Sequence, residues 1–417
     1  MAYSIKQTDD GGYILAGKIA YPSAGGKITI EFLVLKLSPD GSVEWQKTYG
    51  GKYSEQARSI QQTIDGGYIV AGATWSFGIR PQELWVLKLG ADGNVEWQKT
   101  YGGYYGDAAY SIQQTGDGGY IVAGGTMSFG QIEMDSWVLK LGPDGTVEWQ
   151  KTYGGEGSDL ADSVRQTNDG GYIVAGRTES FGAGQGDLWV LKLKPNGVIE
   201  WQKTYGGEDP DKAGSIHQTD DGGYIVAGET KSFGAGQRDL WVLKLKPNGT
   251  IEWQKTYGGE SWDTALSIQQ TTDGGYIVAG ETRSFGTESI DAWVLKLSPE
   301  GTVEWQKSCG GAHWDWACSI QQTNDGGYVM TGGTMSVGAG VEDIPDIWVL
   351  KLRPDGSIGP SCDLIRNTDV SGRDSNAIVK ASSAAVNDTD AEPQDSSATV
   401  QDTDVSVNVL CSSATVE

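Results

Sequence analysis

Histidine is almost missing from this chain: two residues in 417, His217 and His313. Two scattered imidazoles build neither a metal centre nor a Ser-His-Asp triad, so those chemistries are poor first readings. Cysteine is also scarce, with four residues that all fall late, Cys309, Cys318, Cys362 and Cys411. Basic residues are outnumbered, 31 against 55 acidic, and the formal charge is −24. A surface of that sign repels phosphate backbones and anionic lipid, which argues against nucleic acid and membrane surfaces as partners. No apolar run approaches the roughly 20 residues of a membrane-spanning helix, so no membrane insertion is expected. Met1 leads within three residues into repetitive sequence, which leaves no room for a signal peptide. A cytoplasmic protein and one with a trimmed leader both read this way. Phosphate loops are missing too, because the many Gly-Gly pairs lead into strands and lack the helix N-terminus that holds phosphate.

Glycine and tryptophan are plentiful, at 62 and 16 residues. The reason is a motif written seven times: DGGYILAG from Asp10, DGGYIVAG from Asp65, Asp117, Asp169, Asp221 and Asp273, and DGGYVMTG from Asp325. The first interval is 55 residues and the others are 52, which marks a structural repeat. Copy five reads SIHQT, DDGGYIVAGETKSF, GAGQRDLWVLKL and KPNGTIEWQKTYGGE, four runs rich in β-branched and aromatic residues. Each predicts a strand. Asp-Gly-Gly and Pro-Asn-Gly supply tight turns between strands one and two and between three and four. The other two connections are longer and vary in composition from copy to copy. In an up-and-down unit they share one face, so one face is plain and the other individual, and the individual one is where function is sought.

Units of this size cannot bury both sheet faces alone, whereas radial packing lets each cover its neighbours. The sequence therefore predicts an all-β, seven-bladed β-propeller of four-stranded antiparallel blades over residues 1–366. A low-complexity tail or linker rich in Ser, Thr, Asp, Ala and Val follows at 367–417. The rings of LWVLKL and TIEWQK, Trp241 and Trp253, are expected to fill the wedge between blades. Closure of the ring is open, by SIGPSCDLI alone or by part of the tail. The alternation in SSATVQDTDVSVNV also admits an added strand.

The pattern DGGYIVAG followed by WVLKL and VEWQKTYGG resembles the glycine-rich propeller repeats of bacterial and archaeal surface proteins and is similar to the delta-60 repeat. More distantly, PDGTVEW at 143–149 resembles the Asp-Gly-Trp turn of quinoprotein propellers. The resemblance covers most of the chain and implies the fold; propellers host enzymes, lectins and scaffolds alike, so it implies no single activity.

The recurrent polar residues are the Asp of DGG, the Lys of WVLKL, the Glu of VEW and the Asp that opens strand one. They read as turn formers and ion pairs, with a ring of carboxylates around a cation as the sharper alternative. A catalytic pair needs unlike environments converging on one point, and near-identical copies do not provide them. No catalytic residue, metal or cofactor is expected. Cys309 and Cys318, both novelties of one loop, suggest a disulfide and an oxidising compartment, against two buried thiols. Ligand-binding candidates are Tyr104, Tyr105, Trp262, Trp314 and Trp316, with Asp263 and Asp315 beside them. Exposed rings amid polar groups suit a sugar, while packing between blades would explain Trp314 and Trp316 equally. The favoured function is a non-enzymatic, monomeric binding or scaffold propeller, extracellular or at the cell surface, with a glycan or protein partner on the variable loops. The alternative is a polysaccharide-active enzyme using loop-face carboxylates such as Asp209, Asp211, Asp263 and Asp315.

Overall fold

A computed structural model describes residues 1–22, 28–78, 82–130, 133–337, 344–358 and 364–368, with the backbone of short strands at 373–374, 378–381, 385–388, 394–395 and 399–402. All regular elements among these residues are β-strands, and the fold is a seven-bladed β-propeller. Residues 359–363 of SIGPSCDLI lie outside the described residues.

Blade five shows how the sequence makes a blade. Its strands run Asp211–Gln218, Tyr224–Thr230, Asp239–Leu245 and Ile251–Tyr257, each antiparallel to the next. The first turn closes because Asp221 Oδ1 accepts from Thr219 Oγ1 at 2.5 Å and from the Gly223 amide at 2.9 Å, while Gly222 takes φ 80°. That left-handed angle is open to glycine without strain. Lys244 Nζ, almost fully buried, reaches Asp221 Oδ2 at 2.7 Å and Glu252 Oε2 at 3.4 Å. The same lysine-centred triplet joins the DGG, WVLKL and VEW motifs in blades one to four and in blade six. Recurrent charge on the turn face is thus consumed by the turn itself.

The two tryptophans have separate duties. Trp85, Trp137, Trp189, Trp241 and Trp293 on the third strands are completely buried, each tilted against a phenylalanine at 5.2–5.8 Å. The fourth-strand ring packs outward onto the next blade: Trp253 meets the edge of Tyr276 at 5.9 Å, and its Nε1 donates to the Pro299 carbonyl at 3.1 Å. Gly301, φ 74°, lies against that ring, and a Cβ there would come within 2.9 Å of it. Rings seal the blade junctions, as the motif predicts.

The described residues form two compact units, 8–205 with 379–405, and 1–7 with 206–378. In the first, the Ser59 hydroxyl accepts from the Ile112 amide at 3.2 Å and Gln61 Oε1 from the Gln114 amide at 2.8 Å, and Ser111 and Gln113 repeat this with Val164 and Gln166. In the second, Ser267 and Gln269 hold Ile320 and Gln322 in the same way. The N-terminal strand Ala2–Gln7 docks on blade seven by the same clasp: Ile5 N–H donates to Ser319 Oγ at 3.3 Å, and Gln7 N–H to Gln321 Oε1 at 3.1 Å.

Blade seven has three strands among the described residues, Asp315–Gln322, Tyr328–Thr334 and Asp346–Leu352. Among the described residues, none of the chain that leaves it adds a fourth there. Ile365–Asn367 instead pairs antiparallel with the outer strand of blade six, and later tail strands lie on the outer edges of blades five, four, three, two and one. The tail is added strand, not a free linker, at each of these places.

Candidate functional site

Both variable connections of a blade emerge on one face and are bonded to each other. In blade six the Arg283 amide, after strand two, donates to the Trp262 carbonyl, before strand one, at 2.7 Å. The Asp263 amide donates to the Arg238 carbonyl of blade five at 2.9 Å, so loops of adjacent blades are bonded too. Blade seven repeats both contacts through Met335 with Trp314 and Asp315 with Ile290. Each exposed large aromatic residue among those described, Tyr53, Tyr104, Tyr105, Trp262 and Trp314, lies on this face.

Trp262 is 44% exposed and sits in a dense polar cluster. Its Nε1 donates to Gln237 Oε1 at 2.6 Å. The guanidinium groups of Arg238 and Arg283 lie 5.5 and 5.7 Å from its ring centroid, within cation–π range. Arg238 Nη1 also reaches the buried Glu229 at 3.0 Å, and that carboxylate takes Lys212 Nζ at 3.4 Å and Thr264 Oγ1 at 2.8 Å. Neighbouring Glu281 is pushed above the usual carboxylate range, first by burial and then by the charge of Glu229, with Lys212 and Arg238 opposing. Two blades thus supply an exposed indole, two guanidiniums and an internally neutralised acid.

Trp314 is exposed, whereas Trp316 is half-buried inside strand one of blade seven, facing Gly333, where a Cβ would lie 2.5 Å from its ring; its carbonyl takes Trp348 Nε1 at 3.1 Å. Two residues apart, one ring faces solvent and the other packs. Tyr104 and Tyr105 are exposed and stack edge-on with centroids 5.3 Å apart, in the unit 8–205.

Asp263 and Asp315 are fully buried. Asp263 accepts from Thr282 Oγ1 at 2.5 Å, Ser284 Oγ at 2.6 Å and the Gly259 amide at 2.9 Å, and Asp315 holds Thr334, Ser336 and Gly311 in the same way. These carboxylates fasten the loops from beneath. Each is paired with the acid that opens strand three of the preceding blade: a Cβ on Gly258 would clash with Asp239 Oδ1 and lie 2.8 Å from Asp263 Oδ2, and Gly310 is pinched likewise by Asp291 and Asp315. Burial pushes Asp291 above the usual range against two bonds from Thr287, and the charge of Asp315 adds to the push. Burial raises Asp211 also, against Thr230, Ser232 and the Gly207 amide. Among the described residues no group of three or more His, Cys, Asp or Glu side chains is placed to hold a metal ion.

The expected Cys309–Cys318 disulfide is absent. Cys309 is on the outer strand of blade six, opposite Ala292 and facing a core, whereas Cys318 is at the bulge between Ala317 and Ser319 on the innermost strand of blade seven. The two strands belong to different sheets, and Ile365 is paired opposite Cys309. Burial holds the Cys309 thiol up at about 12, so it stays protonated and inert.

Sequence reading found the tryptophan of the cluster and missed its partners. Glu229 and Arg238 occupy positions that are Ala73, Gly125 or Arg177 and Gly186 in other copies, so a position-by-position contrast of copies carried the signal.

The profile of a domain of unknown function (DUF5122), a beta-propeller, matches residues 219–252 of this chain. The chain is a β-propeller repeat protein. No curated protein matches it. Among solved structures, Sqt1 from Chaetomium thermophilum aligns at TM-score 0.47 and 10% identity over 86% of this chain and 83% of that one. A puromycin hydrolase S511A mutant complexed with PGG aligns at TM-score 0.50 and 15% identity over 88% of this chain and 54% of that one. The propeller chain spans about half the length of that hydrolase. At 15% identity the likeness to the hydrolase is one of fold alone. Among the described residues no helix is long and apolar enough to cross a membrane.

Proposed function

We propose that this propeller is a non-enzymatic binding module whose loop face recognises a glycan bearing carboxylate groups, centred on Trp262. The observation that carries the reading is the exposed indole flanked by two guanidinium groups across blades five and six. An indole offers its surface to the apolar side of a sugar ring, and guanidinium pairs bidentately with carboxylate. Because the chain is strongly acidic elsewhere, a local cationic pair is what lets an anionic ligand approach. Trp314 is a second exposed ring in the same unit. A surface or secreted setting and a monomeric state go with this reading, as does kinship with the glycine-rich repeats of surface proteins.

A polysaccharide-cleaving enzyme is the second reading, favoured by the recurrence of carboxylates in pairs. Against it, Asp211, Asp263 and Asp315 are sealed beneath the loops and committed to serine, threonine and amide donors. The deciding experiment is a glycan array that includes uronic-acid and neutral glycans, probed with the purified chain and with Trp262→Ala and Arg283→Ala. Binding restricted to acidic glycans and lost in both variants at unchanged thermal stability supports the reading. Equal binding by wild type and both variants, or none at all, refutes it, and product release from any glycan replaces it with the enzyme.

A further inference from the structure

The tail from residue 361 divides into heptads: SCDLIRN, TDVSGRD, SNAIVKA, SSAAVND, TDAEPQD, SSATVQD and TDVSVNV. Their last residues are Asn367, Asp374, Ala381, Asp388, Asp395, Asp402 and Val409. The strand pairing has the same period. Asn367 is opposite Lys307 of blade six, Asp374 opposite Lys255 of blade five, Asp388 opposite Lys151 of blade three, Asp395 opposite Lys99 of blade two and Asp402 opposite Lys47 of blade one. Each step of 7 along the tail answers a step of 52 back along the blades. The lysine is always that of the EWQK motif. Directly opposed residues of an antiparallel pair put their side chains on one face, where opposite charges attract.

Four of the heptads end in Asp; the first ends in Asn367, the third in Ala381 and the seventh in Val409. Blade four, beside the strand at 378–381, falls to the heptad ending in Ala381, and burial pulls its Lys203 below the usual lysine range.

We propose that the tail is a β-belt in which successive heptads dock on successive blades from six down to one, registered by the terminal acids Asp374, Asp388, Asp395 and Asp402, each set against a fourth-strand lysine. The occupant is the chain's own tail. Consecutive heptads meet consecutive blades in descending order, and a continuous chain leaves blade six already paired at Asn367. The belt also answers the edge problem, since six blades would otherwise present an open edge to other chains.

The test uses the full chain with its four native cysteines replaced by serine or alanine. Opposed residues lie about 4.5–5.5 Å apart, within disulfide reach. Lys99→Cys with Asp395→Cys should cross-link within one chain on oxidation, whereas Lys99→Cys with Asp402→Cys should not. Equal cross-linking of both pairs, or of neither, overturns the belt; cross-linked dimers overturn the own-chain occupant and point to exchange between copies. On the native-cysteine chain, Lys151→Asp and Asp388→Lys should each speed proteolytic release of the tail and the double exchange restore it; no rescue removes the charge rule.

Discussion

The two faces of this propeller are made from the same repeat and have opposite characters. On the turn face, the recurrent charges of the motif have partners: Asp221 holds Thr219, Gly223 and Lys244, and the arrangement recurs from blade to blade. On the loop face, the recurrent acids are hidden and the visible residues vary between copies: the position of Trp262 and Trp314 in blades six and seven is Ser54, Gly106, Ser158 and Pro210 in blades two to five. Repetition fixes what a blade needs to stand beside its neighbour, and individuality collects where packing makes no demand. A chain of duplicated blades acquires a site by changing loops.

The largest effect should come from the sealing rings common to both faces. Trp241→Ala is expected to cost about 3–5 kcal/mol in denaturant unfolding, because the ring is completely buried. Asp221→Ala, on the turn face, should cost about 2 kcal/mol by removing two turn bonds and one partner of a buried ammonium. Loss of 0.5 kcal/mol or less would mean that water substitutes for the triplet, and the contrast between faces would weaken. Acid should separate the faces further. Burial raises Asp65, but bonds from Thr63, Lys88 and Gly67 outweigh it and hold the group at about 2, as happens at Asp10, Asp169, Asp221, Asp273 and Asp325. A depressed folded value contributes stability above the unfolded 3.8 that disappears as pH falls towards 2.

Glu55, on the loop face, behaves oppositely. Burial lifts it from 4.5 to about 7, with the charge of Glu31 adding and bonds from Ser76, Gly51 and Thr74 opposing. Its raised value favours the folded state below 4.5 and that advantage is lost as pH rises through 7. Glu55→Gln should therefore flatten the decline in Tm between pH 5 and 8. The smallest stability effect belongs to the proposed site: Trp262→Ala should change unfolding by less than about 1 kcal/mol while reducing affinity for the proposed acidic glycan about tenfold or more. Substantial destabilisation would make the ring a packing element and sharpen the contrast in the other direction.

The blades were legible because a 52-residue period, turn glycines and paired tryptophans all report the same requirement, burial between neighbours. The candidate site was half legible. Trp262 declares itself as an aromatic residue in a variable loop, but Glu229, Arg238 and Lys212 come from three separate strands or loops, and only the strand pairing brings them together. The cysteines misled because nearness in sequence hid a change of blade, from an outer strand to an innermost one. The tail's composition of Ser, Thr and Asp concealed a period that becomes plain once five lysines mark it off.

The clasp that seats Ala2–Gln7 on blade seven also sets an order of events in time. Between successive blades, the serine clasp closes a loop of 53 residues; the clasp between Ile5 and Ser319 closes one of 314. The longer closure costs about 1.6 kcal/mol more in chain entropy, so it forms productively only when the intervening blades have already shortened the path. Ile5 precedes Ser319 by 314 residues, so of the serine clasps between blades this one closes last.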